Sequence, residues 1–177
     1  MKKLSRQAKA KLDKDIKHRI NVGGIAIKSQ ISFFKRHFSE VKSHYKKDSS
    51  RVTFADFAIS ENIFSDVGKY FKNDELCTEE MDFNDKPIKL KSDFSWILDP
   101  IDGTNNFALG FPICGISLSL MFQGIPIYGF VYNYSTNQLY EGGEDFGLIC
   151  NSKKIEEKSI NDEEEIVGVQ FPIKKDT

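Results

Sequence analysis

A series of short apolar segments separated by turn residues constrains the fold of this chain more than any other feature. Three strand-like segments cover residues 113–122, 125–133 and 138–143, and a fourth covers residues 146–150. A Gln-Gly pair, an Asn-Tyr-Ser-Thr-Asn stretch and a Gly-Gly pair separate them, and such residues favour turns. Strands of this length joined by short turns pair with their neighbours, so the pattern predicts an antiparallel meander.

Two stretches upstream of the meander have the apolar spacing of amphipathic helices. One predicts a helix over residues 4–38, with apolar side chains on one face at positions 16, 20, 27, 31, 34 and 38. Gly23 and Gly24 interrupt it, and because glycine weakens a helix interior we expect a kink or a close contact there. The other predicts a helix over residues 55–72, with apolar side chains on one face at positions 57, 64, 67 and 71.

The start of the second predicted helix has a capping signature. Thr53 lies three residues before Asp56, which resembles a capping box with aspartate in the place of glutamate.

Before the second predicted helix, residues 41–54 alternate around a polar turn and predict a short hairpin. After it, residues 94–98 form a short apolar run that predicts a buried strand ending at Asp99. Two helices packed on a largely antiparallel sheet make this an α+β fold.

The chain divides at about residue 155. Residues 1–155 are predicted to form the helix-plus-sheet domain, and residues 156–177 a charged connector followed by the start of an incomplete C-terminal domain. The second unit is predicted because "EIVGVQF" looks like the opening of another strand and the sequence then ends in polar residues, with no partner for that strand after it.

The composition is that of a globular protein with little preference for charged partners. The chain has 177 residues, 40% of them hydrophobic, and a formal net charge of -1, which gives no reason to expect a nucleic-acid or membrane partner. Its three cysteines are an odd number without metal-site spacing, and the basic N-terminus has no apolar stretch of a secretory signal behind it. We therefore expect a cytoplasmic protein.

The motif "WILDPIDGTNNF", residues 96–107, places two aspartates at the end of the predicted buried strand. On structural grounds alone, Asp99-Pro100 and Asp102-Gly103 are turn dipeptides, or Asp102 is the cap of a short helix that starts at Thr104. A functional interpretation starts from the free-energy cost of burying a charged carboxylate that has no partner. Glycine at position 103 would let a ligand approach the backbone N–H groups, and a helix start after it would favour an anion.

A second acidic segment, "CTEEMD", supplies Glu79 and Glu80 in a loop leading to the same strand. Taken alone, such a pair is typical of a solvated charge cluster. Joined to Asp99 and Asp102, it predicts a site for a hard divalent cation such as Mg²⁺, which takes oxygen ligands. A metal beside an anion site indicates phosphoryl chemistry.

These segments, together with "VTFAD", resemble the inositol monophosphatase family, whose members are Mg²⁺-dependent, lithium-sensitive sugar phosphatases. The resemblance covers about residues 20–170 and is strongest over residues 52–150. It implies the N-terminal half of that fold, a small phosphorylated substrate and a homodimer. The Asn-Phe pair and "GFP" after Thr104 look more like this branch than like the fructose-bisphosphatase or nucleotide-phosphatase branches.

The resemblance also implies a role for each matching residue. Glu79, Asp99 and the Ile101 carbonyl would bind one Mg²⁺, and Asp99 and Asp102 a second. Thr104 and Glu79 would orient the attacking water, with Asp56 as the partner of the threonine. The N–H groups of Gly103 and Thr104 would face the phosphate. Asp56 also has the plain reading of a helix-start residue, and both roles are compatible.

Two departures from the family pattern bear on activity. Thr78 stands where the family usually has glycine before its glutamate pair. The family's C-terminal Trp-Asp pair, whose aspartate completes the second metal site, has no match, since Trp96 is the one tryptophan. We therefore expect hydrolysis of a sugar or polyol phosphate such as inositol monophosphate, with weak turnover by these 177 residues. The alternatives are a non-catalytic binding protein of the same fold, a purely structural site, or a superfamily phosphatase acting on fructose bisphosphate or a nucleotide phosphate.

Overall fold

The computed structural model describes residues 6–45, 51–80 and 91–156. Three helices lie within these ranges: α1 (Arg6–His37), α2 (Phe54–Tyr70) and α3 (Thr104–Leu109). The strands of the same ranges are β1 (Ser43–Tyr45), β2 (Arg51–Thr53), β3 (Glu75–Thr78), β4 (Phe94–Asp102), β5 (Gly115–Phe122), β6 (Ile125–Asn133), β7 (Gln138–Gly143), β8 (Gly147–Cys150) and β9 (Lys153–Ile155).

Helix α1 confirms the helix predicted over residues 4–38, of which residues 4 and 5 lie outside the described part. Its buried face packs on the sheet, and Gly23 of the glycine pair marks a close approach. A Cβ at Gly23 would lie 2.7 Å from Cζ3 of Trp96 and 3.1 Å from Cε2 of Phe130. Of the two expectations for the glycine pair, the structure therefore shows the close contact: only a residue without a side chain allows these rings to touch the helix.

The predicted hairpin and the predicted capping box are both present. β1 and β2 pair antiparallel, with Ser43 opposite Thr53. Thr53 is the N-cap of α2: its side chain accepts a hydrogen bond from the Ala55 N–H, and the Asp56 side chain accepts one from the Thr53 N–H. Helix α2 therefore begins one residue before the predicted start at residue 55, and it ends two residues before residue 72.

The main sheet has seven strands in the order β3-β4-β5-β6-β7-β8-β9. From β4 to β9 every neighbouring pair is antiparallel, which confirms the meander, and β6 and β7 have the predicted bounds. β3 pairs parallel with β4 and was not predicted, because four residues with two apolar side chains do not define a strand. β4 continues past the predicted end at Asp99 as far as Asp102.

The core lies between the sheet and helices α1 and α2, which contact β4, β5 and β6. Alternate residues of these strands face the helices, as expected where successive side chains point to opposite faces. The buried residues of this sheet face include Phe94, Trp96, Leu98, Ile116, Leu118, Leu120, Tyr128, Phe130 and Tyr132. The α+β class expected from the sequence is thus confirmed, with two helices packed on one face of a mixed, mostly antiparallel sheet.

A buried ion pair fixes the entry to β3. The Arg19 guanidinium binds Asp74 with two hydrogen bonds, Nε to Oδ2 at 2.8 Å and Nη2 to Oδ1 at 2.7 Å. The same guanidinium lies over the rings of Phe94 and Phe71, at 3.7 and 4.4 Å from their centroids. Trp96 Nε1 donates to Asp74 Oδ2 at 2.9 Å. This cluster joins α1, the α2–β3 connection and β4.

The predicted domain boundary at residue 155 stays a prediction, since residues 157–177, including the strand expected over "EIVGVQF", lie outside the described residues. Among the helices that are described, none has both the length and the hydropathy to cross a membrane.

Candidate active site and metal centre

The aspartate motif lies at the end of β4, where the sheet is locally irregular. Asp99 pairs with Ser117 but Asp102 pairs with Gly115, so β4 has one more residue than β5 between these pairs. Such a bulge redirects side chains and is common beside active sites.

Gly103 follows with φ +85°, and a Cβ there would lie 2.8 Å from the Ile113 carbonyl oxygen. The turn therefore requires glycine. Gly103, and not Asp102, is the N-cap of α3, and it makes no side-chain capping bond. The reading of Asp102 as a helix cap is therefore wrong, because the chain needs an extra left-handed residue before α3 begins.

The parallel pairing of β3 and β4 brings the two acidic segments to one edge of the sheet. Thr78 is opposite Leu98, and one residue further along each strand come Glu79 and Asp99. The Glu79 N–H donates to the Leu98 carbonyl at 3.2 Å, which continues the pairing past the end of β3. The carboxyl ends of parallel strands lie at the same edge, so this topology brings residues twenty positions apart in the sequence to one edge of the sheet.

Three carboxylates converge at this edge. Asp56, Glu79 and Glu80 each offer an oxygen, and these oxygens all lie within 4.8 Å of one another. Asp56 is completely buried, Glu80 is half-buried and Glu79 is exposed. We call this set the acidic cluster. The sequence predicts Glu80, together with Glu79, as part of the acidic site but gives it no role of its own, because the sequence alone does not show which glutamate of a pair turns toward α2.

Asp99 adjoins the acidic cluster. Burial, followed by the charges of Asp102, Asp56 and Glu80, outweighs a hydrogen bond from the Ile101 backbone that lowers the pKa of Asp99, so that this pKa rises from 3.8 to about 6. Its Oδ1 atom is buried and has no hydrogen-bond partner among the described residues. A half-buried carboxylate surrounded by others is destabilised unless a cation joins it.

Thr104 connects the motif to helix α2. Its hydroxyl lies 3.0 Å from the Ile101 carbonyl oxygen and 3.4 Å from Oδ1 of Asp56, and can donate to either. The other oxygen of Asp56, Oδ2, accepts from the Thr53 N–H and the Thr53 hydroxyl, both at 2.7 Å. Asp56 therefore has the helix-start role on Oδ2 and contacts Thr104 through Oδ1, while its part in orienting a water stays a prediction.

The protonation of Asp56 follows from the same contacts. Burial raises the pKa of Asp56, the hydrogen bonds from Thr53 lower it, and the charge of Glu80 raises it, with a net increase. A carboxylate with a raised pKa accepts a proton more readily than an ordinary aspartate.

The predicted site residues are thus largely neighbours. Asp56, Glu79 and Glu80 meet directly, Thr104 contacts Asp56 and Ile101, and Asp102 acts on Asp99 through its charge. Asp102 itself, the last residue of β4, is exposed to solvent. Which of these oxygens bind a metal, and what Gly103 and Thr104 do, stay predictions.

The residues present fit a hard divalent cation. The predicted donors are carboxylate oxygens and one carbonyl oxygen, the ligand types that Mg²⁺, Ca²⁺ and Mn²⁺ prefer. The Ile101 carbonyl keeps a second lone pair when Thr104 bonds to the first. The unpartnered Oδ1 of Asp99 is an acceptor that a cation would satisfy.

The fold and the site together define a domain that gathers carboxylates at the end of a parallel strand pair, where they could hold a divalent cation. The chain belongs to the inositol monophosphatase family, whose family model matches residues 11–174.

Known proteins resemble this chain in sequence and in structure. The "fructose-1,6-bisphosphatase/inositol-1-monophosphatase" of Aquifex aeolicus is 31% identical over 147 residues, covering 81% of this chain and 54% of that protein. The crystal structure of extragenic suppressor protein SuhB from Bartonella henselae superposes with a TM-score of 0.69 at 25% identity, covering 80% of this chain and 55% of that one.

A second similar structure, an IMPase/NADP phosphatase complexed with Mg²⁺ and phosphate, has a TM-score of 0.62 at 26% identity and covers 85% of this chain and 54% of that one. This chain therefore spans about half the length of the relatives it matches.

Proposed function

We propose that this chain carries the metal-binding and water-activating residues of a Mg²⁺-dependent phosphomonoesterase that acts on a small sugar or polyol phosphate, with inositol monophosphate as the representative substrate. The observation that carries the proposal is the convergence of Asp56, Glu79 and Glu80 within 4.8 Å, next to the buried and unpartnered oxygen of Asp99. The similar structure with bound Mg²⁺ and phosphate supports the choice of metal.

The proposed metal ligands are those of the aspartate motif and the first glutamate. Glu79, Asp99 and the Ile101 carbonyl would hold one Mg²⁺, and Asp99 and Asp102 a second. When bound, Mg²⁺ supplies Lewis-acid polarisation of the phosphoryl oxygens and lowers the pKa of water. The Gly103 and Thr104 N–H groups are proposed to bind the phosphate oxygens.

Thr104 and Asp56 are proposed to orient and deprotonate the attacking water. A threonine hydroxyl that donates its hydrogen to Asp56 Oδ1 still has lone pairs that accept a hydrogen bond from water. A water held in this way points its own lone pair away from Thr104. The raised pKa of Asp56 suits it to receive the proton that moves through the threonine hydroxyl. Glu79, exposed at the rim, would hold the same water from the other side.

A non-catalytic binding protein of the same fold is the second candidate, and the observation that favours it is that the acidic cluster and the unpartnered Oδ1 of Asp99 account for cation binding without requiring hydrolysis. A substrate such as fructose bisphosphate or NADP, the compounds named for two of the similar proteins, is a variant of the phosphatase proposal. A cytoplasmic location and a homodimer complete the proposal.

Calorimetric titration with Mg²⁺ and phosphate release from inositol monophosphate, measured on the 177-residue chain and on Asp99→Asn, separate these functions. A phosphatase binds Mg²⁺ and releases phosphate, and Asp99→Asn loses both. Binding without phosphate release would favour the non-catalytic protein. No Mg²⁺ binding by the unaltered chain would refute both.

A further inference from the structure

The backbone of the glutamate pair is held by two different kinds of partner. The Glu79 N–H donates to the Leu98 carbonyl, which belongs to the sheet. The next N–H, that of Glu80, donates to the side chain of Thr78, with 3.4 Å between the nitrogen and Oγ1. A hydroxyl two residues earlier in the chain thus orients the peptide from which the Glu80 side chain leaves.

Thr78 also contacts helix α2. Its Oγ1 lies 3.3 Å from Oγ of Ser60, and both residues are buried, with exposures of 6% and 7%. A hydroxyl has one hydrogen to donate and two lone pairs to accept, so Thr78 can bond to Ser60 and to the Glu80 N–H at once. Water does not compete effectively for hydroxyls buried to this extent.

Ser60 lies one helical turn after Asp56, so the two side chains are neighbours on the same face of α2. Asp56 is the one member of the acidic cluster that comes from this helix, and the other two come from the loop that Thr78 begins. The Ser60–Thr78 contact therefore directly connects helix α2 and the loop after β3, the two elements that supply the carboxylates.

We propose that Thr78 and Ser60 are positioning residues, a hydroxyl pair that fixes the Glu79–Glu80 segment against α2, thereby places the proposed metal ligand Glu79, and so sets the affinity of the site for divalent cations. The inference rests on the proposed function, because cation affinity is the quantity that the pair controls. Glycine or valine at position 78 lacks the hydroxyl, and either would leave the Ser60 hydroxyl and the Glu80 N–H without this partner.

The test measures the affinity of the 177-residue chain for Mn²⁺, a cation with the same preference for oxygen ligands, whose free and bound forms are distinguished by electron paramagnetic resonance. Thr78→Val removes the hydroxyl and keeps the shape of the side chain, while Thr78→Ser keeps the hydroxyl. The matched control is Ser95→Ala: Ser95 is fully buried in β4, and its hydroxyl has no hydrogen-bond partner among the described residues.

Thr78→Val is expected to weaken Mn²⁺ binding by about threefold to tenfold, the equivalent of one lost hydrogen bond. Thr78→Ser and Ser95→Ala are expected to bind within about twofold of the unaltered chain. Ser60→Ala tests the same contact from α2 if the valine variant fails to fold. Adding Ser60→Ala to Thr78→Val should weaken binding no further, because both changes remove one shared contact.

Thermal unfolding with and without Mn²⁺ distinguishes positioning from general stabilisation. A positioning role reduces the rise in melting temperature that Mn²⁺ produces, and serine at position 78 restores it. Equal Mn²⁺ affinity in Thr78→Val and the unaltered chain, or no rescue by Thr78→Ser, would overturn the inference and leave the proposed function standing. Absence of Mn²⁺ binding in the unaltered chain would overturn the proposed function and the inference with it.

Discussion

Replacing Asp99 by asparagine should stabilise the metal-free protein at neutral and alkaline pH. Burial, and then the charge of Asp102, raises the pKa of Asp99 from 3.8 to about 6, so the folded state holds this proton more tightly than the unfolded chain does. Stability therefore falls as pH rises between the two values, and the cost is complete above about pH 6 and absent below about pH 4. Asparagine has the same shape and no charge.

The size of this stability difference follows from the same shift in the pKa of Asp99. A pKa that rises from 3.8 to about 6 corresponds to at most about 3 kcal/mol. Asp99 is half-buried and partly screened by water, which reduces the expected gain for Asp99→Asn to about 1–2 kcal/mol. The sign is unusual for the removal of a buried polar contact, and it is opposite to what a purely structural role for Asp99 requires.

Urea unfolding in the presence of a chelator measures this difference. Asp99→Asn should exceed the unaltered chain in free energy of unfolding at about pH 8, and the two should converge toward about pH 4.5. Asp145→Asn is the control, because Asp145 is an exposed aspartate in the β7–β8 turn. Equal or lower stability of Asp99→Asn at the higher pH would refute the reasoning.

Saturating Mg²⁺ should reverse the order of the two proteins. A ligand that binds only the folded state stabilises it by about 2.7 kcal/mol at one hundred times its dissociation constant. The unaltered chain should gain this stabilisation, and Asp99→Asn should gain much less of it, since it lacks the shared carboxylate. An equal gain in both proteins would show that Asp99 is not a metal ligand.

Three further predictions concern the scaffold, each measured as a free energy of unfolding in urea. Thr53→Val should cost about 0.5–2 kcal/mol, because it removes the hydroxyl that caps α2, and no change would contradict the capping box. Gly23→Ala should reduce the free energy of unfolding by about 1–3 kcal/mol, because the new methyl group overlaps aromatic rings. Gly68→Ala should increase it by about 0.5–1 kcal/mol, because Gly68 lies in helix α2 and no atom lies within 4 Å of the new methyl group. Equal effects of the two substitutions would contradict the close contact at Gly23. Asp74→Asn should cost about 3 kcal/mol because it leaves the buried charge of Arg19 without its partner, and a loss below about 1 kcal/mol would show that the pair is solvated.

Local signals made much of this fold predictable. β6 and β7 have the predicted bounds because turn residues flank them on both sides, and the Thr53–Asp56 spacing defines a capping box without reference to the rest of the chain. β3 was not predictable, because its partner β4 lies far along the chain and parallel pairing leaves no turn between them.

The site was predictable in residue type but not in arrangement. The motifs marked Glu79, Asp99, Asp102 and Thr104 as neighbours, and the structure places them along one edge of the sheet. That Glu80 joins the acidic cluster depends on which way the chain turns after Thr78, and this direction is set by a contact with a helix that ends several residues earlier. No local pattern encodes it.

The position of β3 has a consequence for motion. Within the described part of the sheet β3 is the outermost strand, paired on one side only, whereas β4 is paired on both. Edge strands undergo local opening at a lower free energy than central strands do. Glu79 and Glu80 thus follow an edge strand, while Asp99 and Asp102 lie on a strand that is paired on both sides and opens less readily. A bound cation that contacts both the glutamate and the aspartate carboxylates would stabilise the pairing of β3 with β4. Cation occupancy of the site and the rigidity of β3 should therefore increase and decrease together.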